Sequence, residues 1–220
     1  KKIFLKHKIV NFNNQSLIPG SGVDLNKFKY TNFIKNKFTN FLLIARLLKE
    51  KGILEYLKVG KLVKNKKLKI KLNLIGSFIA DNKSSISKKI IFEAHKNNEI
   101  NYLGFFDDVR KQIKKNDCMV LPSYREGTPR SLLEGASMGR PIITTDAVGC
   151  REVLRNNKNG FFCNIKDHKS LYSSLVKFHN LPDYKKKKMS LNSRKLVETF
   201  FDEKKVISAY INKINKLINL

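Results

Sequence analysis

The chain has 220 residues, with 45 Lys and Arg against 18 Asp and Glu and a formal net charge of +27. A hydrophobic content of 41%, set in regular apolar runs, supports a sizeable core and excludes wholesale disorder. No run approaches the roughly 18 apolar residues of a membrane span, and three cysteines without a CxxC spacing exclude a disulfide scaffold or a cysteine-type zinc site. That cysteine usage fits a reducing cytoplasm, and no secretory signal is read. A start at Lys1 rather than Met leads us to expect further sequence before it.

Residues 1–25 hold a basic, apolar start and then Ile18-Pro19-Gly20-Ser21-Gly22-Val23-Asp24, where one Pro and two Gly predict a turn or hinge. From Asn40 onward strand and helix alternate. Phe41 to Ala45 reads as a strand, and Lys51 to Lys66 as a helix through Ile53, Leu54, Leu57 and Leu62. Ile70 to Ile75 is a strand ended by Gly76, Ser85 to Asn97 a helix, and a brief strand lies near Tyr102. Helix Asp108 to Lys115 precedes strand Asp117 to Leu121. A short helix follows Thr128, then strands Pro141 to Thr145 and Gly160 to Cys163. Helices from Lys169 and from about Tyr184 lead to a final amphipathic one through Ile207, Tyr210, Ile211, Ile214 and Ile218. This alternation predicts an α/β fold, an open, mostly parallel sheet covered on both faces. Ligands of such sheets sit at the carboxyl ends of the strands, here the loops after Ala45, Ile75, Leu103, Leu121 and Thr145.

The positive charge invites a nucleic-acid reading, but the lysines are scattered and no nucleic-acid motif accompanies them. Arg is more localised. Six of the eight arginines, Arg110, Arg125, Arg130, Arg140, Arg151 and Arg155, fall between positions 110 and 155, and Arg suits bidentate recognition of carboxylate and phosphate.

The segment from Tyr124 to Glu134 carries the most chemistry. Thr128 is expected to cap a short helix with Pro129 at its first position, and Gly139 with Pro141 to end it. Such a helix start leaves the N–H groups of Arg130 and Ser131 free for an anion. Glu126 before it and Glu134 within it could grip hydroxyls at either end of a sugar nucleotide. The plainer alternative pairs Glu134 with a nearby Arg and leaves Glu126 solvated.

Together these segments resemble glycosyltransferase family 4 of the GT-B fold. Glu126 and Glu134 match its E-x7-E motif. Leu121-Pro122-Ser123, Gly127-Thr128-Pro129, Gly139-Arg140-Pro141-Ile142 and Asp146-Ala147-Val148-Gly149 stand in the family's order. Pro19 to Asp24 looks like its interdomain linker, and Ala45-Arg46-Leu47 with Lys51-Gly52 looks like its diphosphate-binding segment. The resemblance runs from about Leu17 to Gly160.

It implies one Rossmann-like half of a two-domain enzyme. Residues 1–24 would be the end of the first domain and the linker, 25–200 the donor-binding domain and 201–220 a crossover helix. The catalytic set would be Glu126 on donor-sugar hydroxyls, with Arg46 and Lys51 on the diphosphate. Glu134 would bind the ribose. Gly127, Thr128, Pro129, Arg130 and Ser131 would lie near sugar and phosphates, and Gly104 with Phe105 beside the nucleobase. The implied reaction is metal-independent transfer with retention, without a cofactor, from a nucleoside-diphosphate sugar to a lipid-linked or saccharide acceptor. The site residues look most like bacterial enzymes of lipid-linked glycan, O-antigen or capsule synthesis, often using UDP-linked galactose or N-acetylgalactosamine. The expected setting is cytoplasmic, peripheral at the inner membrane face, with the acceptor domain as partner and no nucleic acid. A non-catalytic sugar-nucleotide-binding subunit and a basic nucleic-acid or membrane-surface module remain the alternatives. His7, His95, His168 and His179 lack metal-ligand spacing. Cys118 reads as packing, and Cys150-Arg151-Glu152 as a subgroup feature.

Overall fold

The computed structural model describes residues 7–9, 20–33 and 36–218, so most of the expected first-domain tail, with Pro19, lies outside the described residues. Six parallel strands form one sheet in the order β3-β2-β1-β4-β5-β6. They are β1 Thr39–Ile44, β2 Ile70–Ile75, β3 Asn101–Tyr102, β4 Cys118–Leu121, β5 Ile142–Thr145 and β6 Gly160–Cys163. The helices are α1 Ile53–Asn65, α2 Lys88–Lys96, α3 Arg110–Lys115, α4 Arg130–Ser137, α5 His168–His179, α6 Asp183–Phe200 and α7 Glu203–Ile218. Single 3-10 turns cover Lys49–Lys51 and Cys150–Val153.

Continuous apolar runs explain why β1 and β4 sit at the centre, since strands covered on both faces have no polar side to show. Phe41, Leu42 and Leu43 are fully buried, as are Cys118, Met119 and Val120. The chain steps outward from β1 to β2 in one direction and from β4 to β5 in the other. Right-handed crossovers therefore place α1 and α4 on opposite faces. On one face α1 packs against α5, and on the other α4 packs against α6. The reversal leaves a crevice between the carboxyl ends of β1 and β4.

Several predicted boundaries move for local reasons. The helix expected from Lys51 begins at Ile53, because Gly52 turns the chain into the left-handed region with φ of 73°. The helix expected from Ser85 starts at Lys88, where the Ser87 hydroxyl caps Ile90 N–H. Thr128 is not the cap of α4. Pro129 is, with extended ψ of 108°, and its carbonyl accepts from Leu132 and Leu133 N–H. Because Pro129 itself stays extended rather than helical, the first helical residue is Arg130 and the cap moves one residue onward.

The arginine cluster does not form one anion site. Arg110 pairs with Asp108, Arg130 with Glu134 and Arg151 with Asp146. Arg140 is fully buried and hydrogen-bonds the Thr31 hydroxyl and carbonyl, tying the segment before β1 to the amino end of β5.

Candidate donor-binding site

Two loops meet at the crevice. After β1, Leu47 and Leu48 anchor the chain in the core, while Leu47 N–H bonds Ser77 carbonyl and Lys49 N–H bonds Ser84 carbonyl. This lifts Arg46 into solvent, where it forms no ion pair among the described residues, and turns Lys51 toward the β4 side. After β4, Tyr124 N–H and the Ser123 hydroxyl both bond Glu50 carbonyl, at 2.8 and 2.9 Å. From the other flank the Thr145 hydroxyl bonds Ser123 carbonyl, and Glu126 N–H bonds Val148 carbonyl at 3.1 Å. Two glycines permit this closeness. A Cβ on Gly52 would stand 2.2 Å from Pro122 carbonyl oxygen, and one on Gly149 1.8 Å from that of Gly127.

The result joins two expected site residues. Lys51 Nζ lies 2.6 Å from Glu126 Oε1, with both side chains mostly buried. Glu126 is thus paired rather than solvated, and its partner comes from 75 residues away. Glu134, on the second turn of α4, follows the plainer alternative, accepting from Arg130 Nε at 3.1 Å. Burial raises the Glu134 carboxyl above its ordinary value, with Arg130 opposing the shift. The N–H groups of Arg130 and Ser131 find no carbonyl partner among the described residues, as befits a first turn. Gly127 is exposed and Thr128 half-buried at the same rim.

Gly104 and Phe105 sit farther along the sheet, after β3. Gly76 links the two parts, its N–H bonding Gly104 carbonyl while its Cα faces Ala45 carbonyl. Phe105 is 64% exposed, and no hydrogen bond joins it to the Lys51–Glu126 pair. Cys150 is buried beside Thr144 and Thr145, its thiol pushed up by burial. Among the described residues no group of three or more His, Cys, Asp or Glu is placed to hold a metal.

Three contributors escaped the sequence reading. Glu50 accepts a hydrogen bond from Ser84, which with Lys51 and Arg46 holds its carboxyl below the usual range against partial burial. Tyr124 donates its hydroxyl to Glu55 Oε1 at 2.9 Å, and burial together with that carboxylate pushes the phenol up to about 12. Glu55 itself is buried, and its Oε2 has no protein partner among the described residues. The only sequence signal was the position of Tyr124 beside Glu126.

The family model of glycosyl transferases group 1 matches residues 26–196, most of the described domain and every candidate residue. The chain belongs to this family. It is 30% identical over 180 residues to the N,N'-diacetylbacillosaminyl-diphospho-undecaprenol α-1,3-N-acetylgalactosaminyltransferase of Campylobacter jejuni, covering 76% of this chain and 46% of that protein. To the UDP-Gal:α-D-GlcNAc-diphosphoundecaprenol α-1,3-galactosyltransferase of Escherichia coli it is 28% identical over 194 residues, covering 80% and 48%. The chain thus spans about half the length of these curated relatives. A glycosyltransferase from Rickettsia africae shares the fold at a TM-score of 0.80 and 19% identity, covering 99% of this chain and 62% of that one. The pneumococcal O-GlcNAc transferase GtfA, solved with UDP and GlcNAc, does so at 0.75 and 16%, covering 99% and 43%. The Rossmann-like α/β sheet of a GT-B glycosyltransferase is therefore the fold of this chain.

Proposed function

We propose that this chain is the donor-binding half of a retaining, metal-independent glycosyltransferase. It takes a hexose or N-acetylhexosamine from a UDP-linked donor and delivers it to a lipid-linked or saccharide acceptor in cell-surface glycan synthesis. The observation that carries this reading is the Lys51–Glu126 pair, held by two loops at the rim where α4 presents its free N–H groups.

Breaking the glycosidic bond loads negative charge onto the departing diphosphate, and fixed cations and dipoles stabilise that charge best. Arg46, Lys51 and the start of α4 supply them from the chain itself. Lys51 turns to phosphate when the donor enters, freeing Glu126 for sugar hydroxyls, while Glu134 holds the ribose and Gly104 with Phe105 border the base. The leaving phosphate assists the incoming hydroxyl on the same face of the sugar. Residues 1–24 are the end of an acceptor domain and its linker, and 201–220 the helix that returns to it. The name of the Escherichia relative supports a UDP donor, and the names of both it and the Campylobacter relative support a polyprenyl-diphosphate acceptor. No helix among the described residues is long and apolar enough to cross a membrane. A lipid-borne acceptor calls for peripheral attachment at the inner membrane face.

Calorimetric titration of UDP, UDP-N-acetylgalactosamine and GDP-mannose without metal tests this reading. UDP-selective binding that Arg46→Ala and Glu134→Ala both weaken is the expected result. A folded chain that binds no nucleotide would refute the donor-site assignment.

A further inference from the structure

At the amino end of β6 a cavity of about 560 Å³ opens between the turn entering the strand, the end of α5 and the start of α6. Its floor is apolar, with Phe161 and Met189 buried and Leu181 half-buried. Its rim is cationic, formed by Lys158, Lys177, Lys185 and Lys188. A second cavity of about 380 Å³ shares Lys158 and Asn192 with the first and continues along α6 past Arg155 and Lys195 to Phe200. No Asp or Glu lines either cavity.

The outer face of α6 continues the pattern. Positions 184, 188, 191 and 195 recur at helical spacing and present Tyr, Lys, Leu and Lys. Tyr184 is 68% exposed and Leu191 51% exposed. Between 155 and 195 the sequence holds eleven Lys and Arg against two Asp, a steeper excess than the 45 to 18 of the whole chain. A lysine surplus spread evenly by composition produces neither an acid-free groove nor large apolar side chains at its edge.

We infer that this face docks the domain on anionic lipid headgroups at a bilayer surface. Lysines draw the phosphates, while Tyr184 and Leu191 seat at the boundary between headgroups and acyl chains. Single-stranded nucleic acid fits less well. Tyr184 and Phe200 are about 24 Å apart along the helix at 1.5 Å per residue, too far to stack successive bases, and Leu191 between them has no π face. The groove opens at the amino end of β6, away from the crevice, so a bilayer seated there leaves the donor site open. The inference rests on the lipid-linked acceptor of the proposed function, which calls for an enzyme held at a bilayer.

Co-sedimentation of the chain with phosphatidylcholine vesicles, with and without about one-third phosphatidylglycerol, tests it. Binding should need the anionic lipid and weaken with salt. The triple charge reversal K185E/K188E/K195E should weaken it about tenfold or more. The charge-matched K58E/K61E/K64E, on the exposed face of α1, should cost about threefold at most. Y184A/L191A should abolish the binding that survives high salt. Equal losses in the two charge-reversed variants would overturn the inference, as would displacement of vesicles by a short oligonucleotide that binds more tightly. Thermal melting confirms that each variant is folded. UDP titration separates the two readings: vesicle binding without UDP binding sinks the donor site alone, and UDP binding without vesicle binding sinks this face alone.

Discussion

Glu126 and Glu134 are paired carboxylates of one motif, yet their surroundings differ in kind. Glu126 meets Lys51 across two loops, at 2.6 Å, with side-chain exposures of 13% and 16%. Glu134 meets Arg130 on its own helix, and that arginine is 72% exposed. The first pair exists only when the tertiary structure is complete, whereas the second forms wherever α4 forms. Glu126 is therefore placed by the fold as a whole and Glu134 by one helix, so perturbations should separate them.

The largest effect is expected from Lys51→Ala. It leaves the Glu126 carboxylate mostly buried without its cation, costing about 1–3 kcal/mol in denaturant titration. It should also weaken UDP binding about tenfold or more, as calorimetry would read. Tyr124→Phe comes next, at about 1–2 kcal/mol, because it strips the Glu55 carboxylate of its one hydrogen bond among the described residues and loosens the loop bearing Glu126. Glu55→Gln, which still accepts from the phenol, should lose less, and the two stability measurements together check the link.

Glu134 should reveal itself through pH. Burial raises its folded-state value above 4.5, so the folded chain holds that proton longer than the unfolded one. Its contribution to stability falls as pH rises from about 4.5 to the raised value and stays low above it. Glu134→Gln should flatten that decline in melting temperature against pH. Arg130→Ala is the smallest change, about 0.5 kcal/mol or less, since a pair one helical turn apart whose arginine is 72% exposed contributes little. An Arg130→Ala loss matching that of Lys51→Ala would erase the contrast.

The same division between local and long-range explains what could be read in advance. Phe41 to Leu43 and Cys118 to Val120 announce buried central strands through apolar composition alone, whereas the strand order is known only from the structure. The Asp167 cap of α5 and the left-handed Gly139 after α4 are also local chemistry. The loop from Glu126 to Glu134 was recognisable because its residues are consecutive. Tyr124 and Glu55 stand 69 positions apart, and neither residue type signals a partner at that separation. The Thr128 cap failed on a finer matter: Thr, Pro and Arg all suit a helix start, and only backbone geometry shows which carbonyl the first turn uses.

The Lys51–Glu126 contact also shapes how the empty site meets small ions. An empty site with two idle opposite charges would attract stray anions to one and stray cations to the other. With the pair latched, the vacant rim is nearly neutral at that point, and small ions find little to displace. Under the proposed function, only a ligand carrying both a phosphate for Lys51 and hydroxyls for Glu126 would satisfy both halves at once, and the latch would serve as a filter before any sugar contact forms.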